Sequence, residues 1–302
     1  MPEAPKFLAN KRIAVVSGGN RGIGLEICRQ LASKGVVVIL TAIDVKNGVE
    51  AIDMLINESF DLSNYLIFHQ LDVTDPSTIA QLKDFINHKF GKLDILVNNA
   101  GVLGVLLDKD AINSQLGAAD PFTEGLRLAT QTSDVAEECI KTNYYGAKWM
   151  TQELLPLLQL SDSPRIVNVS SSAGKLEYLR NEWAVEVLSD SRNLTEDKVD
   201  EVLNVFLKDF KEGLLEIKNW PLILSAYSAS KAAINAYTRI LANRYPNFLI
   251  NCVAPGYVKT DMTGNCGTLS AAEGAESPVW LALLPKGGPS GKCFDRKEVS
   301  SF

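Results

Sequence analysis

The stretch Ile13-Ala14-Val15-Val16-Ser17-Gly18-Gly19-Asn20-Arg21-Gly22-Ile23-Gly24 passes from an apolar, strand-sized run, through a glycine turn, into a helix-like segment over about 22–34. Each glycine has its own physical reason to be there. Gly18 permits a tight turn, Gly22 lets the backbone approach a pyrophosphate closely, and Gly24 lets the helix pack close to the strand. The free amides and positive dipole end of the following helix favour phosphate. Glycine-rich turns are common by themselves, but one set between the first strand and first helix of a β-α-β unit reads as a dinucleotide site. Gly18, Asn20, Arg21, Gly22, Ile23 and Gly24 are its candidate contacts.

The same alternation continues outward. Candidate strands are Ile13–Ser17, Val36–Thr41, Leu66–Gln70, Leu93–Asn98, Arg165–Ser170 and Leu249–Ala254. They are rich in Val and Ile without polar alternation, as strands buried on both faces are. Helix-like segments lie between them at about 22–34, 46–57, 76–90, 134–159 and 226–244. The pattern predicts an α/β fold, a doubly wound parallel sheet of Rossmann type, in one domain over 1–302. Two inserts, at about 102–133 and 172–225, interrupt it. The first reads as a loop. In the second, Thr195 is placed to cap a helix, with Leu194 and Val199 at staple positions. Val199, Val202, Leu203, Phe206, Leu207, Phe210 and Leu214 then form one apolar stripe. That helix reads as packed on the main body, or as a lid inserted over a cleft.

Composition excludes several classes. With 302 residues and 46% apolar content the chain is long and apolar enough for a large folded core. No apolar run approaches the roughly 18 residues of a membrane span, and the amino terminus lacks a signal or transit pattern, so a cytoplasmic location is expected. Thirty basic and thirty-six acidic residues leave −6 without blocks, against a nucleic-acid surface. Cys28, Cys139, Cys252, Cys266 and Cys293 are odd in number without close pairs, the usage of reduced structural thiols. His69 and His88 are the only histidines, too few for a zinc cluster or a serine-histidine triad, so no metal is expected. Acid-base chemistry must come from another side chain.

Tyr227-Ser228-Ala229-Ser230-Lys231 opens a helix pattern that runs through Ala232, Ile234, Tyr237 and Leu241. Residues four apart share a helix face, so Tyr227 and Lys231 project into one cleft. Tyrosine alone, with a pKa near 10, is too weak an acid to ionise at neutrality. A positive charge about 4 Å away contributes about 4 kcal/mol at an effective dielectric near 20, which predicts a tyrosine brought toward neutrality and a general acid-base group without histidine.

The glycine turn, Asn98-Asn99-Ala100-Gly101, Asn143, Ser171, the Tyr227/Lys231 pair and Pro255-Gly256 follow one another in an order that resembles the short-chain dehydrogenase/reductases, over residues 11 to about 295. Ser17 stands where that family more often has threonine. The inserts and the runs around Arg165 and Tyr237 resemble a narrower branch, that of plant salutaridine reductase and the menthone:neomenthol reductases of plant secondary metabolism, with animal carbonyl reductases more distant.

The resemblance implies a role at each matching position. Tyr227 would be the proton donor, and Lys231 would tune it and hold the nicotinamide ribose. Ser171 would orient the substrate carbonyl, and Asn143 would anchor a water leading protons to Lys231. Asp72 and Val73 would meet adenine, and Asn98, Ala100 and Gly101 would floor the cofactor pocket. Pro255, Gly256, Val258 and Thr260 would meet the carboxamide. Ser171, Leu103, Leu176, Trp183, Tyr257 and Met262 flank these segments as the candidate substrate wall. Asn143 also reads as a satisfied helix amide and Asn98 as a sheet stabiliser.

The expectation is an oxidoreductase, a carbonyl reductase that uses NADPH on a cyclic, apolar ketone of monoterpenoid or alkaloid type, reversible to alcohol oxidation. Arg21 is suited to a 2′-phosphate, so NADP(H) is preferred; Ile43 stands where members preferring NADPH often carry arginine, and Asp44 is suited to a free ribose, which keeps NAD(H) and an NAD-dependent alcohol dehydrogenase as the second reading. A non-catalytic dinucleotide-binding protein is the third. The long connection between Ser171 and Tyr227 covers a surface through which shorter family members associate, so a monomer is expected, with a small molecule as its partner and no membrane or nucleic acid.

Overall fold

The structure, a computed structural model, describes residues 11–106 and 121–302. Strand β1 (Ile13–Val16) is buried at every position because successive side chains enter opposite cores. Ile13 and Val15 join one apolar cluster, and Ala14 and Val16 join the other. β2 (Val37–Ala42), β4 (Ile95–Asn98), β5 (Arg165–Val169) and β6 (Leu249–Ala254) are loaded the same way, which is why their sequences are mainly apolar without regular alternation, with Arg165, Asn168 and Asn251 among the buried polar exceptions. β3 (Leu66–Gln70) closes one edge; β7 (Lys292–Asp295) and the antiparallel β8 (Glu298–Ser300) close the other. The strand order is β3-β2-β1-β4-β5-β6-β7-β8. The direction of winding reverses between β1 and β4, and such a switch point opens a crevice at the carboxyl ends of the strands.

Helices α1 (Gly22–Ser33), α2 (Val45–Glu58) and a later helix at Ala271–Ala282 cover one face. The other face is covered by α3 (Pro76–Phe90) and by a long helical run after the first insert. That insert is not the continuous loop expected: Pro121–Leu128 forms α4, while residues 107–120 lie outside the described part. The helix expected at 134–159 is broken into α5 (Ser133–Ile140), a π-turn at Lys141–Gly146 and α6 (Ala147–Leu158).

The second insert holds α7 (Leu176–Leu179), α8 (Glu182–Ser189) and α9 (Glu196–Lys211). Thr195 caps α9 by accepting from the Lys198 amide at 3.3 Å. Val199, Val202, Leu203 and Phe206 are sealed in the same core as α5 and α10 (Ser225–Arg244), against which α9 packs. Burying side chains of this size contributes about 1.5–3 kcal/mol each. Its polar edge is fixed too: Asp200 accepts from Tyr144 Oη at 2.9 Å and from Lys148 Nζ at 2.8 Å. α9 therefore packs on the main body through one apolar face. Ala271–Ala282 (α11), β7 and β8 have no counterpart among the elements expected from sequence. All five cysteines are free thiols, and no helix among the described residues is long and apolar enough to cross a membrane.

Candidate functional site

The glycine turn is held from behind by the segment after β4. The Ser17 hydroxyl accepts from the amides of Asn99 at 2.9 Å and Ala100 at 3.0 Å. Asn99 Nδ2 donates in return to the carbonyls of Ser17 and Gly18, at 2.9 and 3.1 Å. Gly18 and Gly22 take left-handed φ values of +62° and +54°, a region costly for side-chain-bearing residues. A Cβ at Gly24 would overlap the Gly18 carbonyl oxygen and stand 2.5 Å from Asn99 Nδ2.

The start of α1 carries no side-chain cap and no acidic residue in its first turn. α2 and α3, by contrast, are capped by Asp44 and Asp75. An uncapped helix start behind a turn whose glycines leave the backbone bare is a cradle for phosphate, so the residues present fit a dinucleotide.

The Tyr227/Lys231 pair sits on α10, which is pinned to β5 along one face. Lys231 Nζ donates to the Val169 carbonyl at 2.8 Å. One turn on, Asn235 accepts from Ser170 Oγ at 2.6 Å and donates to the Gly174 carbonyl at 3.1 Å. Thr238 Oγ1 then accepts from Asn168 Nδ2 at 2.8 Å. Gly174 passes so near that a Cβ there would stand 2.6 Å from the Lys231 carbonyl carbon. Ser171 leaves β5 with its hydroxyl accepting from the Ala173 amide at 3.2 Å and close enough to Tyr227 to act on its hydroxyl. Ser171, Tyr227 and Lys231 are thus brought together at the carboxyl end of β5.

Asn143 joins them through the π-turn. Its Oδ1 accepts from the Val102 amide at 2.8 Å and its Nδ2 donates to the Val102 carbonyl at 2.9 Å and to Ser230 Oγ at 3.0 Å. A Cβ at Gly101 would lie 3.1 Å from Asn143 Oδ1 and 3.6 Å from Lys231 Nζ. The widened turn is where such helices place functional side chains, and here it gives Asn143 reach to the backbone beyond Gly101.

The electrostatics depart from expectation. Burial dominates both members of the pair, pushing Tyr227 up to about 12 and Lys231 down to about 8. The hydrogen bond from Ser171 pulls Tyr227 the other way and is outweighed. Lys231 Nζ lies 5.5 Å from the centre of the Tyr227 ring and is bonded to Val169. The lysine charge favours the tyrosinate, but desolvation opposes ionisation of both groups and outweighs it.

Other expected positions divide by environment. Asn98 is buried, donating to Asn168 Oδ1 at 2.8 Å and Thr151 Oγ1 at 3.2 Å, so its amide braces β4 against β5 and α6. Asp72, beyond β3, accepts from the amide and hydroxyl of Thr74, each at 2.8 Å, and Val73 is buried beside Gly146. Asn20 is half-buried and Ile23 packs beneath the turn. Arg21 is exposed and paired with Asp261 at 3.2 Å. Asp44 Oδ1 accepts from the Asn47 amide at 2.8 Å, a helix cap, and Ile43 is 65% exposed.

The loop after β6 meets the glycine turn: a Cβ at Gly22 would stand 3.2 Å from the Thr260 methyl. Within that loop Gly256 takes φ +95° and Val258 is buried against Gly274, with Pro255 buried before them. Of the substrate candidates, Leu103 and Leu176 rest on the core that contains Tyr227. Tyr257 and Met262 are half-buried in the loop after β6, and Trp183 is 37% exposed on α8.

Several positioning residues escaped the sequence reading. Asn99 lies in the Asn98–Gly101 segment expected at the floor of the cofactor pocket, but its bonds to the glycine turn become visible only in the fold. Asn235 stands one helical turn beyond Lys231, so spacing alone could have singled it out. Ser230 lies between Tyr227 and Lys231.

Comparison with known proteins gives a consistent picture. The protein-family model described as short chain dehydrogenase matches residues 12–183 and 218–269. The chain is 54% identical to (+)-neomenthol dehydrogenase of Capsicum annuum, over 96% of this chain and 98% of that one. It is 36% identical to carbonyl reductase (NADPH) 1 of Homo sapiens, over 96% of this chain and 98% of that one. The solved structure of salutaridine reductase from Papaver somniferum superposes with a TM-score of 0.89 at 51% identity, covering 94% of this chain and 99% of that one.

Proposed function

The chain belongs to the short-chain dehydrogenase family, and on that premise we propose that it is an NADPH-dependent carbonyl reductase of cyclic, largely apolar ketones, of monoterpenoid or alkaloid type. The observation that carries this reading is the convergence of Ser171, Tyr227 and buried Lys231 at the carboxyl end of β5. The relatives named for neomenthol and salutaridine support the ketone class, and the carbonyl reductase named for NADPH supports the cofactor.

When bound, the dinucleotide supplies the hydride. The chain's residues do the rest. Ser171 hydrogen-bonds the carbonyl oxygen and holds it beside the Tyr227 hydroxyl. Tyr227, held at about 12, keeps its proton at neutral pH and gives it to that oxygen. Lys231 contributes positive charge that stabilises the tyrosinate left behind, and contacts the nicotinamide ribose. Asn143 anchors a water that returns the proton by way of Lys231. The reverse reaction needs the tyrosinate first, so alcohol oxidation gains as pH rises.

Gly18, Asn20, Gly22, Ile23 and Gly24 hold the pyrophosphate. Ala100 and Gly101 floor the cradle, Asp72 and Val73 meet adenine, and Pro255, Gly256, Val258 and Thr260 meet the carboxamide. Arg21 turns from Asp261 to a 2′-phosphate, since an exposed ion pair of that kind is worth little. Asp44 already caps α2, which favours NADPH over NADH. Leu103, Leu176, Trp183, Tyr257 and Met262 form the apolar wall, with α7 and α8 as the covering segment.

We further propose that the chain acts as one cytosolic domain and as a monomer; the packing of α9 on α5 and α10 supports the monomer, since it covers surface on those two helices. Sedimentation at the mass of one chain is the expected result, and a tetramer mass contradicts it. The functional test is NADPH oxidation over a panel of cyclic ketones with NADH in parallel. Selective oxidation of NADPH supports the reading, and turnover with NADH alone refutes the cofactor assignment.

A further inference from the structure

We propose that Gln131 is a positioning residue that sets the register between the helix leading to Asn143 and the helix carrying Tyr227 and Lys231. The inference rests on the reading of Tyr227 given above. It begins from an omission in α10. The first amides of any helix lack partners inside it, and Leu224, at the cap position, has no side-chain acceptor to offer. Leu224 also holds a left-handed conformation, φ +53° and ψ +39°, so the entry into α10 is a sharp turn made by a residue poorly suited to it. Ser225, the first residue of the helix, is fully buried. Its amide and hydroxyl need partners supplied from elsewhere in the chain.

Gln131 supplies them. Its Oε1 accepts from the Ser225 amide at 3.0 Å and from Ser225 Oγ at 2.6 Å, and its Nε2 donates to the Leu222 carbonyl at 2.7 Å. One amide therefore clasps both ends of the turn Leu222–Ser225, two residues before Tyr227. The backbone of Gln131 is itself fixed. It directly precedes Thr132, whose hydroxyl caps α5 by accepting from the Val135 amide at 3.4 Å. On its other side, Thr130 and Leu106 exchange backbone hydrogen bonds of 2.8 and 3.2 Å.

The consequence follows from where the two helices are joined. α5 runs straight into the π-turn that holds Asn143. Beyond Tyr227 the same two helical runs are tied by Asn143 Nδ2 donating to Ser230 Oγ at 3.0 Å, and that hydroxyl donates to the Tyr227 carbonyl at 2.7 Å. Tyr227 is thus bracketed by one tie through Ser225 and one through Ser230. Removing the first leaves the helix start free to move while Lys231, Asn235 and Thr238 stay anchored to β5. The hydroxyl of Tyr227 then loses its fixed relation to Ser171, whereas the glycine turn is untouched.

The test is Gln131→Met, which keeps the length of the side chain and removes the amide. The assay is NADPH oxidation with menthone, or with whichever panel ketone turns over fastest, alongside fluorescence titration of NADPH and thermal unfolding. The expected result is a fall in kcat of roughly tenfold, as small displacements of a reacting group produce, with NADPH affinity unchanged. Ser225→Ala removes one of the three bonds and is expected to give a smaller fall that vanishes in the Gln131→Met background, since both act through one contact. Wild-type kcat in Gln131→Met, or a loss of kcat matched by loss of NADPH affinity, overturns the inference. Tyr227→Phe runs in the same assay. Its retaining turnover overturns the reading of the site, an outcome separate from any result at Gln131.

Discussion

The side-chain amide of Asn99 donates to the carbonyl oxygen of Gly18 at 3.1 Å, so the turn at the end of β1 is shaped by the chain that follows β4. These two strands flank the switch point of the sheet, and the bond makes the cradle a property of both.

Gly24 is where this arrangement has no slack. A Cβ there would overlap the Gly18 carbonyl oxygen and crowd Asn99 Nδ2. Gly24→Ala is expected to cost about 1–3 kcal/mol of stability, as overpacking does, and to raise the Kd for NADPH at least about tenfold by displacing the start of α1. Thermal unfolding and fluorescence titration measure the two effects. An unchanged Kd contradicts the placement of the phosphate at this turn.

Lys231 gives a pH signature. Burial lowers it from 10.5 to about 8 in the folded chain. Below pH 8 the folded state holds a desolvated charge, and the penalty is present in full. Between about 8 and 10.5 the unfolded chain still binds the proton while the folded chain has released it, so stability rises with pH. The expected difference is about 3 kcal/mol in favour of the wild type at pH 10.5 relative to pH 7, measured against Lys231→Met. Tyr227 acts oppositely above 10, since its folded value is raised to about 12. Urea midpoints for both proteins across this range check the prediction, and a constant difference contradicts it.

Arg21 is where the cofactor assignment is tested. Arg21→Ala is expected to lower kcat/KM with NADPH by about tenfold or more, since a charge-assisted contact to phosphate is lost, and to leave NADH nearly unaffected. Equal losses with both cofactors would show that Arg21 serves the turn and does not read the 2′-phosphate.

How much of this was legible in sequence depends on what fixed each feature. β1, β2, β4, β5 and β6 were legible because each sends side chains into two cores and so shows no regular polar alternation, and the edge strand β3 by its short apolar run Leu66–Phe68. The glycine turn was legible because Gly18 and Gly22 adopt backbone conformations other residues avoid. α9 declared itself by a cap and a stripe, both local. α11 did not, since Ala271–Ala282 is made largely of small residues with Pro278 inside, and its apolar contrast is weak. β7 has only Cys293 and Phe294 buried, and exists through pairing with β6. The π-turn at Asn143 depends on Val102, distant in sequence. The high value of Tyr227 was illegible for a related reason: spacing reports which residues share a face, whereas desolvation depends on everything packed around them.

The central claim is that the Tyr227 hydroxyl moves the proton at the substrate oxygen. The most direct measurement is turnover of Tyr227→Phe against the wild type with NADPH and the best ketone of the panel, with NADPH affinity measured on both proteins. The account predicts a kcat lower by about a hundredfold or more, the usual worth of a positioned general acid, with NADPH affinity nearly unchanged because the glycine turn is intact. Turnover within a few-fold of the wild type contradicts it and places the proton donor elsewhere.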